Sequence, residues 1–172
     1  MMAILISAVL MASEDVSVYA PTPPQTILAM LLLAETTEED ILYDLGSGDG
    51  RILVLASGIH GCRSVGIELD STMVGTAKRN VANNHVGELI RVYQGDVLQA
   101  DFSAATIVTA YLMPNLLSKL KPQFAKLKPG TRIVCYDKAI PNVKPTRVMP
   151  FAGKSLYLYR TPLVEIRCVG GT

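Results

Sequence analysis

Apolar and polar positions along this chain alternate between short hydrophobic runs and longer stretches with helical spacing. The first helical stretch is Gln25–Ala34. It follows a Pro-rich segment, Tyr19–Pro24, whose last two prolines suit the first turn of a helix, where the N–H they lack has no partner to lose. The short apolar run Ile41–Asp44 reads as a strand, and Arg51–Ile59 as the helix after it. Arg63–Glu68 predicts a second strand, and Ser71 is expected to cap a helix running to about Asn83, with Gly87 nearby as a stop signal. Leu89–Gln94, Thr106–Tyr111 and Arg132–Tyr136 predict three further strands. Leu116–Leu127 reads as helical, broken or kinked at Pro122 and ended by Lys128-Pro129-Gly130.

Five strands separated by helices imply βαβ crossovers, so the expected fold class is α/β: a single domain with a mostly parallel, doubly wound sheet and helices on both faces. Beyond residue 137 the pattern changes. Pro141, Pro145 and Pro150 fall at turn-like spacing, and Ser155–Tyr159 alternates Leu and Tyr as an added antiparallel strand does. The expected organisation is an apolar leader or N-terminal helix at 1–18, one domain at 19–160 and a tail at 161–172.

Composition narrows the picture. A length of 172 residues favours one core, and 49% hydrophobic residues with a mean hydropathy of +0.32 exclude disorder over most of the chain. Sixteen Lys and Arg against fifteen Asp and Glu leave no basic excess, which makes nucleic acid an unfavoured partner. Cys62, Cys135 and Cys168 are scattered, with no CxxC pair and no adjacent His, so no metal site is expected and they read as free thiols of a reducing compartment. His60 and His85 have no nucleophile or carboxylate at a triad-like spacing and read as structural. The opening MMAILISAVLMA is shorter than the about 20 apolar residues of a membrane span and has no Lys or Arg before it. A degenerate leader or a helix packed on the domain is expected there rather than secretion. No transmembrane segment is expected.

The most informative stretch is YDLGSGDGR, residues 43–51, in which Gly46, Gly48 and Gly50 follow an apolar strand and precede a helix. Such a loop lets backbone approach a ligand closely. Glu68 ends the second strand, 22 residues after Gly46, where an acid can accept both hydroxyls of a ribose. Asp96 ends the third, where it can accept from an exocyclic amine such as that of adenine. The plain alternative is that Glu68 and Asp96 each cap the element that follows. Arg51 occupies the third glycine position of GxGxxG, and no GxxxxGK[ST] is present, so neither phosphate-binding turn is reproduced. Asp44 has the wrong sign for a phosphate and the right one for a cation. A ligand with ribose, adenine and a cationic amino-acid end satisfies all of this: S-adenosylmethionine.

The motifs DLGSGDGR, GIELD and QGD together resemble the seven-strand class of S-adenosylmethionine-dependent methyltransferases, over about residues 18–160. YAPTPPQTILAML, TAYLMPNLLSKLKPQF and LKPGTRIV resemble, more narrowly, the small archaeal protein-lysine methyltransferases of broad specificity. Their mitochondrial relatives, which modify a lysine of the ATP synthase c-subunit, are similar too. The resemblance implies cofactor contacts at Tyr19, Thr22, Asp44, Gly46, Gly48, Glu68, Asp96 and Val97, with Tyr19 and Thr22 closing over the cofactor. It also implies an acceptor slot at YLMPN, with Tyr111 as wall and Asn115 as polar guide, and a protein partner presenting a lysine. A cytoplasmic setting is expected because the cofactor is held in the cytosol and the opening stretch lacks a positive n-region. Read without the resemblance, YLMPN is a strand end followed by Pro114 at the start of a helix, and the Pro-rich entry is a stiff linker. Methylation of a small molecule or RNA, and cofactor binding without catalysis, are the competing functions.

Overall fold

Pairing between consecutive βα units sets the sheet, because a right-handed crossover returns each strand parallel to the one before it. The computed structural model describes residues 21–166. The helices are α1 (Pro24–Leu33), α2 (Arg51–His60), α3 (Ser71–Asn83), α4 (Pro114–Lys119) and α5 (Lys121–Phe124). The strands are β1 (Ile41–Leu45), β2 (Arg63–Glu68), β3 (Ile90–Gln94), β4 (Ile107–Ala110), β5 (Arg132–Tyr136), β6 (Val143–Lys144), β7 (Arg147–Phe151), β8 (Lys154–Arg160) and β9 (Val164–Glu165). Seven of them form one sheet in the order β3-β2-β1-β4-β5-β8-β7. β1 to β5 run parallel, while β8 and β7 are antiparallel additions. The α/β expectation and its antiparallel C-terminal strand therefore hold.

Strand alternation divides the apolar residues between two cores. On one face Ile27 and Leu31 of α1, Leu53 of α2 and Val81 of α3 meet Leu42, Val134 and Leu156 of the sheet. On the other, Leu117 of α4 and Phe124 of α5 meet Ile133, Cys135 and Tyr159. Chain order reverses between β1 and β4, so the loops leaving these two adjacent strands diverge and open a crevice at their carboxyl ends.

Several expectations are corrected. Asp70, not Ser71, caps α3: its carboxylate accepts from the N–H groups of Thr72 and Met73, because the backbone turns helical one residue later than Asp70. The helical stretch expected at 116–127 is broken near Pro122 as expected, but it starts earlier, at Pro114 in α4, and the break falls at Leu120, so that α5 carries Pro122 in its first turn, where it needs no N–H partner. Tyr111 lies just past β4 rather than within it. The Pro-containing stretch before residue 150 forms the short strands β6 and β7, and Pro150 is tolerated because β7 is an edge strand. Residues 161–166 pack back on the domain, Thr161 bonding with Gly130 and Thr131 and β9 pairing with β6. Tyr19, Cys168 and the leader lie outside the described residues. Among those described, no helix is long and apolar enough to cross a membrane, and no His, Cys, Asp and Glu group could hold a metal ion.

Candidate active site

The loop after β1 is pinned to the end of β2. The N–H groups of Gly46 and Ser47 both donate to the Ile67 carbonyl, at 2.9 and 3.1 Å, and Gly48 N–H donates to Glu68 Oε2 at 2.8 Å. Gly46 has φ +76°, a left-handed conformation, and a Cβ there would stand 3.0 Å from Leu112 of the loop after β4. The turn thus favours glycine, and a side chain there would also press on the tip of Leu112. Gly66 on β2 gives the loop its seat, since a Cβ at that position would lie 2.6 Å from both Ser47 Oγ and Leu53.

These loops enclose a cavity of about 840 Å³ at the crevice. Thr22, Asp44, Gly46, Gly48, Glu68, Asp96, Val97 and Tyr111, eight of the ten residues singled out in the sequence, line it. Asn115 does not. It is exposed on the first turn of α4, its Oδ1 accepting from the N–H of Leu116.

Asp44 is 2% exposed, and its carboxylate accepts from the Thr109 hydroxyl at 2.8 Å. Burial pushes its pKa up to about 7, against the lowering effect of that bond and aided by the charges of Glu68 and Asp49. A buried carboxyl poised to ionise suits a cationic group better than an anionic one. Glu68 Oε1 accepts from Asp70 N–H at 3.0 Å, so the side chain is held between the glycine loop and the start of α3. Asp96 Oδ1 accepts from Leu98 N–H at 2.8 Å, which is the capping geometry of the plain alternative and at the same time fixes the carboxylate at the cavity wall.

Sequence reasoning missed other members of the site. Arg51 grips Asp49 through Nε and Nη2, at 2.9 and 2.7 Å, and reaches the Thr22 carbonyl with Nη1 at 3.3 Å, tying the Pro-rich entry to the glycine loop. This explains why an arginine rather than a third glycine stands at position 51. Ser47 Oγ is buried with no hydrogen-bond partner among the described residues, a polar atom left over in the wall of a ligand site. Asp137 and Lys138, just past β5, also line the cavity and carried no motif.

The donor set fits S-adenosylmethionine: one acid at each of three strand ends and backbone laid bare by glycine between them. Residues 44–147 match the ANTKMT methyltransferase domain, which is more than half of the chain. The chain belongs to this family of methyltransferases. The methyltransferase is 35% identical to a protein-lysine N-methyltransferase of Saccharolobus islandicus, over 82% of this chain and 91% of that one. It is 25% identical to the ATP synthase c-subunit lysine N-methyltransferase of Caenorhabditis elegans, over 67% of this chain and 60% of that one. Among solved structures it resembles an RNA methyltransferase from Salinibacter ruber in complex with S-adenosyl-L-homocysteine. That likeness has a TM-score of 0.81 and 43% identity, covering 83% of this chain and 94% of the other. The enzyme is thus a methyltransferase dependent on S-adenosylmethionine, with the class I fold.

Proposed function

We propose that this methyltransferase acts on the side-chain amine of a lysine presented by another protein. The observation that carries the reading is the acceptor end of the cavity, where Tyr111, Leu112, Met113 and Leu116 make a largely apolar wall and no histidine or cysteine is among the described lining residues. S-adenosylmethionine supplies the methyl group on a sulfonium, so the displacement needs alignment and exclusion of water more than an acid or base. A lysine, with a pKa of about 10.4, must react uncharged, and neutralising it three units below that value costs about 4 kcal/mol, at about 1.36 per unit. An apolar wall disfavours the charged form and offsets part of this cost. The names of the S. islandicus and C. elegans relatives support the same acceptor.

In this reading Glu68 takes the ribose hydroxyls, Asp96 and Val97 the adenine, Asp44 the α-ammonium, and the backbone of Gly46 and Gly48 the amino-acid chain. Thr22 closes over the cofactor, and Tyr19 is assigned the same part on the family resemblance. Tyr111 walls the acceptor slot, with Asn115, on the first turn of α4, as a guide. The cytoplasm, where the cofactor is made, is the proposed compartment. A second reading, transfer to RNA, draws on the name of the S. ruber structure. Incubation with methyl-labelled S-adenosylmethionine and a cell lysate separates the two: label in the protein fraction is expected, and label confined to RNA or to small molecules overturns the lysine assignment.

A further inference from the structure

Four side chains from three strands meet beside the acceptor wall. Tyr111 follows β4, Tyr136 and Asp137 lie at the end of β5, and Lys154 opens β8. The two tyrosine rings stand 4.7 Å apart between centroids and are inclined at 55°. Lys154 Nζ donates to the Tyr111 hydroxyl oxygen at 2.8 Å, pairs with Asp137 Oδ2 at 3.1 Å and lies 5.0 Å from the Tyr136 centroid. Lys138 Nζ approaches the same Asp137 oxygen at 3.4 Å. Tyr111 and Asp137 line the cavity, so the cluster opens onto the acceptor end.

Asp137 holds its place at a conformational cost. Its φ is +67°, and Lys138 N–H donates back to the Tyr136 carbonyl at 2.8 Å, a γ-turn with a non-glycine residue at its centre. Strain of this kind persists where the surroundings impose it, and here Asp137 N–H is fixed to the Ser155 carbonyl at 2.8 Å. Lys154 arrives differently, from a hairpin tip. It pairs with Phe151 across Ala152 and Gly153, whose φ values of 49° and 77° are both positive, as a two-residue turn of this hand requires. A strained acid and a tyrosine pair are thus built into the sheet, whereas the ammonium they hold comes from a loop end.

Aromatic rings and a carboxylate around one point are the chemistry that binds an ammonium, through cation–π attraction and a charge-assisted hydrogen bond. Lys154 demonstrates that an ammonium on a four-carbon stem fits there. The reaction proposed above brings a second such group to the same end of the cavity. We propose that Tyr111, Tyr136 and Asp137 are the receptor for the protonated acceptor lysine, and that Lys154 is an internal placeholder which the acceptor displaces. The assignment rests on the lysine-methyltransferase reading. It divides the acceptor's path in two: capture as a cation at Asp137, then loss of the proton to water and passage of the neutral amine to the apolar wall at Leu112 and Met113, where the uncharged form is favoured.

The test uses the full chain saturated with S-adenosylhomocysteine and titrated with n-butylammonium chloride, following carbon-13-labelled tyrosine rings by NMR. Lys154→Met is expected to bind at least tenfold more tightly than the wild type, with saturable shifts at Tyr111 and Tyr136. Lys154→Gln, measured beside it, guards against methionine filling the receptor itself. Adding Asp137→Asn to either variant should return affinity to the wild-type level or below. No tightening in either lysine variant overturns the placeholder, and undiminished binding after Asp137→Asn overturns the receptor. The same proteins are then assayed with a lysine-bearing peptide, for which Lys154→Met should lower KM. Tight n-butylammonium binding without methylation of any peptide lysine overturns the acceptor role, and marks the functional reading as the part that failed.

Discussion

The Thr109 hydroxyl on β4 and the Asp44 carboxylate on β1 sit directly opposite each other in the sheet and are hydrogen-bonded at 2.8 Å, with both side chains buried. The bond stabilises the carboxylate, yet burial dominates and the acid titrates near 7 instead of at its ordinary 3.8. Cofactor binding and proton release are therefore linked at this residue. If Asp44 pairs with the cofactor's α-ammonium, affinity falls up to tenfold for each pH unit below about 7 and levels off above it. At higher pH it declines again as the ligand's own amine, near 7.7–8.0, loses its proton. Calorimetry across this range checks the profile, and Asp44→Asn should remove the acidic limb.

The same residue gives the ligand-free protein an opposite pH response. Its folded pKa of about 7 exceeds the ordinary 3.8, so the native state holds a proton that the unfolded chain has lost between those values. The stability due to this group is complete below 3.8 and is lost as pH rises to about 7, a change of at most about 4 kcal/mol at about 1.36 per unit. Urea unfolding at pH 5 and pH 8 should show the ligand-free wild type losing more stability on going to the higher pH than Asp44→Asn does.

Glu68 joins the glycine loop to the start of α3 through Gly48 and Asp70. Glu68→Ala should leave the circular dichroism spectrum unchanged and weaken S-adenosylmethionine by about 1.5–3 kcal/mol, the value of hydrogen bonds to a charged group. Unchanged affinity by calorimetry would falsify the ribose assignment.

Gly66 tests the seat of the loop. An alanine Cβ would meet Ser47 Oγ and Leu53 at 2.6 Å, so Gly66→Ala should cost about 1–3 kcal/mol of stability. It should also weaken cofactor binding, because Ser47 can yield only by moving the loop. Thermal unfolding with and without cofactor reads both effects.

At the opposite end of the sheet Asp40 is 4% exposed and accepts from Thr37, Thr106 and Arg132. Burial raises its pKa, but the bonds from Thr106 and Thr37 and the Arg132 guanidinium outweigh it and hold the acid below its ordinary value. Asp40→Ala should destabilise the fold by about 3 kcal/mol, by stranding the half-buried Arg132, and leave cofactor affinity untouched. In the wild type, the stability from Asp40 is present above pH 3.8 and is lost as pH falls through the lowered folded value.

Residues at strand ends were legible because a strand's apolar run fixes where it stops, and the carboxyl edge of a parallel sheet gathers whatever follows. Gly46, Glu68 and Asp96 could be placed together for that reason. Asp137 occupies an equivalent position after β5, but a carboxylate in a strained turn leaves no periodic trace. Gly66 was hidden because the side chain it makes room for, Ser47, lies 19 positions earlier in the chain. Pro122 marked a break in Leu116–Leu127, but the apolar period runs on across Leu120, so the pattern could not place the restart at that residue. β6, β7 and β9 are short or mostly exposed strands, and their pairing is set by tertiary contact rather than by hydrophobic alternation.

The most direct test of the central claim is amino-acid analysis of a protein substrate methylated by this enzyme with labelled S-adenosylmethionine, at a series of pH values. Label is expected in methylated lysine, with an initial rate that rises up to about tenfold per pH unit below the lysine pKa while proton loss from the acceptor limits turnover. Label recovered in another residue, or protein left unlabelled across the series while RNA takes the methyl group, would contradict that claim.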